Sequence, residues 1–292
     1  MIEPAAAPRA TATLIGFVAI ALWSGLALLT ALSGKTPPFE LAALTFSVGG
    51  LSGMIYAAAR GRLKSLVQPW RVWAVGISGL FGYHALYFAA LRSAPPADAS
   101  LIAYLWPLLI VLLSAALPGE RLKPRHVIGA ALGFAGAATL FLSKGAGFAA
   151  AGGTALKGYG LALCCAFVWS GYSVLSRSLK AAPTEAVAGF CLATAALAAL
   201  CHAAFEATVV PASAGQWLAI LGLGLGPVGL AFYVWDYGVK HGDIRLLGVA
   251  AYAAPVLSTL ILVAAGVAPA TAALALACAF IVGGATVASY PR

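Results

Sequence analysis

The chain has 292 residues, of which 62% are hydrophobic and only 9% charged, whereas a soluble domain carries about 25% charged residues. So few charges cannot coat a globule, so a water-soluble fold is excluded and the surrounding solvent is read as lipid. The net charge of +9 comes from 17 basic residues scattered over short connections, without the long basic face that nucleic-acid binding needs.

A hydrocarbon core about 30 Å thick asks for about 20 apolar residues per helix. In chain order, residues 1–13 form an Ala/Pro-rich cytoplasmic tail containing Glu3 and Arg9. The apolar run after it lacks a small-residue cleavage site and is read as a retained first helix, 14–33, holding Trp23 and Ser24. A second span covers 39–59, and a third, 73–92, carries Tyr83, His84 and Tyr87. The two tyrosines share a helix face at i, i+4, with His84 beside Tyr87 at i, i+3. Imidazole facing lipid is costly, so this patch is expected to face the bundle interior or an aqueous cavity.

The fourth span, 98–117, contains Tyr104, Trp106 and Pro107. A mid-helix proline removes a backbone hydrogen bond and frees polar backbone at mid-depth, where a solute can meet it. A fifth span at 126–143 closes a first five-helix unit, 14–143, and a linker, 144–157, follows. The sixth span, 158–178, carries Trp169 and Ser170. Trp23 and Trp169 lie away from the headgroup belt, so each indole calls for a partner inside the protein.

A seventh span covers 185–205, and the eighth, 217–238, ends in Phe232, Tyr233, Trp235, Asp236 and Tyr237. Asp236 is the most deeply placed acidic residue, read either as pairing with Lys240 one turn on or as a gate at a cavity floor. The ninth span, 245–265, holds Tyr252 and Pro255, and the tenth, 269–289, completes a second unit, 158–289. Glu40, Asp98, Glu120, Glu185 and Glu206 mark span ends and carry no sharp signal. Gly49 with Gly53, Gly129 with Gly133 and Gly222 with Gly226 have the spacing of close helix approach, read as packing within the chain. The five cysteines lie in apolar runs and read as inert, buried thiols, and no motif calls for a metal or cofactor.

Lys and Arg concentrate on the cytoplasmic side of membrane proteins. With a cytoplasmic N-terminus, thirteen of them, including Arg9, Arg62, Arg125, Arg177, Lys240 and Arg292, fall inside, against Lys35, Arg92, Lys144 and Lys157 outside. Both termini are therefore predicted cytoplasmic.

Three collinear matches point to an internal duplication. Trp23, Ser24, Gly25 recur as Trp169, Ser170, Gly171; Tyr104 and Pro107 as Tyr252 and Pro255; Ala138, Thr139 as Ala285, Thr286. Five helices per unit make the second unit enter the membrane from the opposite side. The expected architecture is an all-α membrane protein of ten helices, arranged as two inverted repeats around a central cavity. Such repeats suit alternating access, with the site near the midplane at the paired helix breaks, Pro107 and Pro255. No carboxylate is placed at mid-membrane, which favours a facilitator or exchanger over a carrier coupled through a buried acid.

Two five-helix halves, a Trp-Ser-Gly in each, Tyr104-Leu105-Trp106-Pro107 followed by Gly119-Glu120-Arg121, and the stretch Gly133 to Gly136 carry a resemblance. The chain resembles the EamA-type drug/metabolite transporters, and within them the aromatic amino-acid exporters of the YddG type. The resemblance implies a multi-pass inner-membrane exporter whose cavity is lined by the first, third, fourth, sixth, eighth and ninth helices. Trp23, Tyr83, His84, Tyr87, Tyr104, Trp106, Trp169, Tyr233 and Tyr252 fall on those helices. Aromatic walls with few charges suit an amino acid with an apolar side chain. The expected partners are a small-molecule substrate and the lipid bilayer, with the chain functional as a monomer. Efflux of drugs or lipophilic cations and lipid flipping stay open on the same architecture. An intramembrane enzyme has no supporting motif.

Overall fold

The computed structural model describes residues 8–119, 121–147, 153–266 and 269–290. Most of the expected tail, the middle of the expected linker, Glu120 and Arg292 lie outside the described residues.

Among the described residues, ten helices are long and apolar enough to cross a membrane: α1 (Arg9–Leu32), α2 (Pro38–Ala59), α3 (Trp70–Ser93), α4 (Pro96–Ala116), α5 (Pro124–Ser143), α6 (Gly153–Ser178), α7 (Ala186–Phe205), α8 (Ala214–His241), α9 (Ile244–Ala264) and α10 (Ala272–Ser289). Their starts follow from local chemistry. Pro38, Pro96 and Pro124 supply the fixed φ that suits a first turn, and the side chains of Ser213, Asp243 and Thr271 accept free N–H groups at the starts of α8, α9 and α10. Several helices run past their apolar cores. α1 begins at Arg9 rather than 14, and α8 runs from 214 to 241 rather than 217 to 238. Polar flanks continue a helix wherever their backbone bonds are kept inside it.

Five of the helices are interrupted. α1 breaks at Gly25, α4 at Tyr104–Leu105 and α9 at Ala251–Tyr252. The last two sit just before Pro107 and Pro255, where the ring displaces the carbonyl four residues back. α3 and α8 each contain a π-helical turn, Ser78–Gly82 and Gly226–Leu230. The sequence pattern did not announce those turns, although each holds two glycines.

The main packed pairs are α1 with α8, α3 with α6, α4 with α6, α1 with α9, α2 with α7, α2 with α8, and α5 with α10. Glycines set the closest crossings. A Cβ on Gly238 would lie 2.6 Å from the Cα of Gly16, and one on Gly129 would lie 2.6 Å from the carbonyl oxygen of Gly284. Gly49 likewise abuts Gly229, whereas Gly222 and Gly226 meet neighbours only at ordinary contact. The cysteine expectation needs correction: only Cys165 and Cys191 are buried, Cys201 and Cys278 are half-buried, and Cys164 is exposed on α6.

Both described termini lie at one membrane end, called here the terminal end. There the bundle is tied across its width. Arg177 of α6 donates to the carbonyls of Val239 (2.9 Å), Lys240 (3.2 Å) and Gly242 (2.9 Å). The Asp243 amide donates to Thr13 at 2.8 Å, and the Asp243 carboxylate pairs with Arg9 at 3.4 Å. α4 and α9 meet where a Cβ on Gly248 would lie 3.0 Å from Val111 and 3.2 Å from Ile110. At the far end the bonds form separate groups. Glu206 gathers the amides of Phe39 and Glu40, Arg92 at 2.8 Å and His202 at 3.1 Å. Asp98 accepts from the amide of Gly147 and the hydroxyl of Tyr159, each at 2.8 Å. Those two span-end carboxylates hold connections in place, a role their sequence positions did not reveal.

Candidate functional site

At mid-depth α1, α4, α6 and α8 bring four indoles into one cluster. The ring centroids of Trp23 and Trp169 lie 5.8 Å apart, Trp23 and Trp106 6.2 Å, Trp106 and Trp169 6.2 Å, and Trp23 and Trp235 5.1 Å. Most of these pairs are edge-to-face, the arrangement that sets the positive edge of one ring against the negative face of another. Phe232 completes the cluster at 5.7 Å from Trp169. Trp106, Trp169 and Trp235 are 6%, 4% and 0% exposed, so three of the four indoles are buried.

The layer extends along α3 toward the far end. Tyr83 lies 5.4 Å from Trp169 and stacks on Tyr87 at 5.9 Å with an interplanar angle of 14°. The Tyr87 hydroxyl is 2.8 Å from that of Ser100, linking α3 to α4. His84 sits edge-on to Phe46 at 5.1 Å. Its Nδ1 is 2.7 Å from the Leu80 carbonyl, which only accepts, so Nδ1 carries the proton and Nε2 of the neutral ring is an acceptor. On α4, Tyr104 touches Trp106 (6.5 Å) and Phe141 (5.3 Å). Tyr83, His84, Tyr87 and Tyr104 are all partly exposed, as is Trp23 within the cluster, in contrast to the buried Trp106, Trp169 and Trp235.

Hydrogen bonding separates the site from its frame. The Trp23 indole donates to the Pro227 carbonyl in the π-turn of α8 at 3.1 Å, and the Trp235 indole donates to Ser173 at 3.1 Å. Ser24 and Ser170 spend their hydroxyl protons on the carbonyls of Ala21 and Ala166 in their own helices. By contrast, the hydroxyls of Tyr83 and Tyr104 and the indole N–H groups of Trp106 and Trp169 have no hydrogen-bond partner among the described residues. Four neutral donors and one acceptor, Nε2 of His84, are therefore carried on a continuous chain of touching rings, His84, Tyr83, Trp169, Trp106 and Tyr104. With aromatic walls they can bind a small solute that has both an anionic and a cationic end.

Two expected lining residues are not brought to this cluster. Tyr252 is 0% exposed, and its hydroxyl accepts from the Leu108 amide at 3.1 Å, filling the gap left by the break in α4. At the break beside Pro255 the Tyr252 ring packs into the α4–α5 contact, against Phe134. Tyr233 turns toward α2 and donates to the Gly49 carbonyl at 3.0 Å. Pro107 and Pro255 are both buried beside their breaks. No N–H at Pro107 answers the Ala103 carbonyl, whereas the Ala251 carbonyl of α9 accepts from Ala254 at 3.1 Å.

Below the tryptophans lies a buried polar knot. Asp236 and Lys240 pair at 2.8 Å, Thr184 donates to the same carboxylate oxygen at 2.8 Å, and Lys240 donates to the Ala182 carbonyl at 2.9 Å. Sequence reasoning missed Trp235 as a cluster member. The available signal was its i, i+3 spacing from Phe232 on one helix face.

The sequence matches the EamA-like transporter family over residues 10–142 and again over residues 156–290. It is 60% identical over 282 residues to the aromatic amino acid exporter YddG of Ancylobacter novellus, covering 96% of this chain and 98% of the relative. The aromatic amino acid exporter YddG of Escherichia coli is 23% identical, covering 86% of this chain and 87% of its own length. That of Salmonella typhimurium is 27% identical, covering 85% and 86%. A solved crystal structure of 60% identity superposes with a TM-score of 0.92, covering 96% of this chain and 97% of that one.

Proposed function

The chain belongs to the EamA-like transporter family, and from that premise we propose that it exports amino acids, aromatic and other neutral ones, through the central aromatic site. It is a multi-pass membrane transporter and not an enzyme. The amino-acid assignment follows the name of the relative that shares 60% of its residues. One observation in the chain itself carries it: four uncommitted neutral donors, on Tyr83, Tyr104, Trp106 and Trp169, set in an aromatic wall. A substrate carboxylate accepts from these donors, an ammonium meets His84 Nε2 or the Ala103 carbonyl, and an apolar side chain stacks on the rings. Each ring contact contributes about 0.5–1.5 kcal/mol. The donors are neutral, so no fixed charge is left unpaired when the site empties.

In this reading the two units form inverted repeats, the termini and the terminal end are cytoplasmic, and the bilayer is the bacterial inner membrane. The paired packing supports it. Exchanging the units maps α1–α8 onto α6–α3 and α4–α6 onto α9–α1, while α2–α7 and α5–α10 map onto themselves. The structure then corresponds to a state closed toward the cytoplasm and open outward. Alternating access proceeds by loosening the Arg177 and Thr184–Asp236 contacts as the far-end halves of α3, α4 and α6 approach those of α1, α8 and α9. The acidic group nearest the site, Asp236, already pairs with Lys240, so a buried carboxylate does not couple transport to protons. A monomer suffices, because one chain supplies the whole site.

Intrinsic fluorescence of the tryptophan cluster tests the proposal in detergent. Phenylalanine and threonine are expected to change it saturably, and the lipophilic cation tetraphenylphosphonium to leave it unchanged. Response to the cation alone assigns the site to drug efflux instead.

A further inference from the structure

At the terminal end, the start of α5 and the end of α10 enclose a groove of about 550 Å³ that no part of the transport reading uses. Lys123 and Arg125 stand on one side, with Pro124 between them; Thr286, Val287 and Tyr290 form the other. The Arg125 guanidinium donates to the Tyr290 carbonyl and so fixes the two edges together. Arg245 reaches the Arg121 carbonyl close by, and the nearest described acid, Asp243, is engaged by Arg9 at 3.4 Å and Arg245 at 3.6 Å. Among the described residues the rim therefore carries a surplus of positive charge, Lys123, Arg125, Arg121 and Arg245 against Asp243.

The groove does not end at this rim. Ile128 lies one helical turn above Pro124, and Val282 one turn above Thr286; they are 52% and 65% exposed on the lipid-facing surface. An apolar track thus leaves the basic mouth and runs toward the bilayer centre. A soluble anion fits the mouth and has no use for the track. A phospholipid uses both, and a basic pocket between transmembrane helices is the expected geometry for an anionic headgroup.

We propose that this groove binds an anionic phospholipid, its phosphate held by Lys123 and Arg125 and one acyl chain laid along Val287, Val282 and Ile128. The inference rests on the placement of the spans and not on the substrate, so the two stand or fall separately. Native mass spectrometry of the purified chain in mild detergent tests it, with phosphatidylglycerol, phosphatidylcholine and inorganic phosphate added in turn. The expected result is retention of phosphatidylglycerol over phosphatidylcholine, with no retention of phosphate. Retention should fall on the order of tenfold or more in the double variant Lys123→Gln/Arg125→Gln. It should also fall in Val287→Trp, which keeps both charges and fills the groove. Equal retention of the two lipids by the wild type, retention of phosphate alone, or phosphatidylglycerol adducts unchanged in both variants would overturn the proposal.

Discussion

Tyr104 and Tyr252 stand at matching places in the two units, 148 residues apart, and serve different ends. The Tyr104 hydroxyl is uncommitted and partly exposed, whereas the Tyr252 hydroxyl satisfies the Leu108 amide inside the protein. Tyr252→Phe leaves that amide without a partner and should cost about 1–3 kcal/mol, read as a lowered melting temperature with substrate affinity unchanged. Tyr104→Phe should do the reverse, weakening amino-acid affinity by a factor of about 3–10 at constant melting temperature. The same contrast marks what the sequence made legible. Mid-helix Trp and Tyr residues betray an aromatic interior by type and depth. Which of them face the cavity is decided by the helix breaks, and a proline names the place of a break without the new direction of the rings. Trp235 was seen only as part of a span end, because α8 continues to His241, which puts this residue deeper than its apolar run implied. In the polar knot, Asp236→Asn strands the Lys240 charge and should cost about 3–5 kcal/mol in thermal unfolding. Replacing Lys240 by Met in the same variant should recover much of that loss.

The spans were readable as elements because lipid demands a continuous apolar run and internal backbone bonding, whatever the packing. Their ends were not, since flanking polar residues extend a helix at little cost. The π-turns of α3 and α8 also lay beyond the pattern: an i→i+5 turn adds one residue without changing hydrophobicity. These turns and the breaks of α4 and α9 fall in corresponding elements, where bending changes the access path. The α4–α9 crossing at Gly248 is a close contact between α4 and α9 near the terminal end. Gly248→Leu should prop that end open. The expected readout is labelling by an impermeant thiol reagent of a cysteine placed at Ser173, unreactive in the Gly248 background and reactive in the variant. The α8–α9 corner adds a pH dependence. Burial raises the Asp243 carboxyl, but the amide of Leu246 and the charges of Arg245 and Arg9 outweigh it and hold the group below its ordinary value. Its contribution is complete at neutral pH and is lost as pH falls below about 4. Asp243→Asn should flatten that acid limb of the melting-temperature profile.

For the whole molecule, the asymmetry between the ends is the functional statement. Contacts that cross the bundle gather at the terminal end, and the partly exposed aromatic residues adjoin the buried Trp106, Trp169 and Trp235. A carrier needs two such arrangements of nearly equal free energy, with the site accessible from one side at a time. Uptake of labelled phenylalanine and threonine into proteoliposomes, with and without a pH gradient, tests this most directly when wild type is compared with Trp169→Ala. The account predicts saturable amino-acid uptake that ignores the gradient and is lost in the variant. Gradient-driven movement of a lipophilic cation, with no amino-acid uptake, would contradict it.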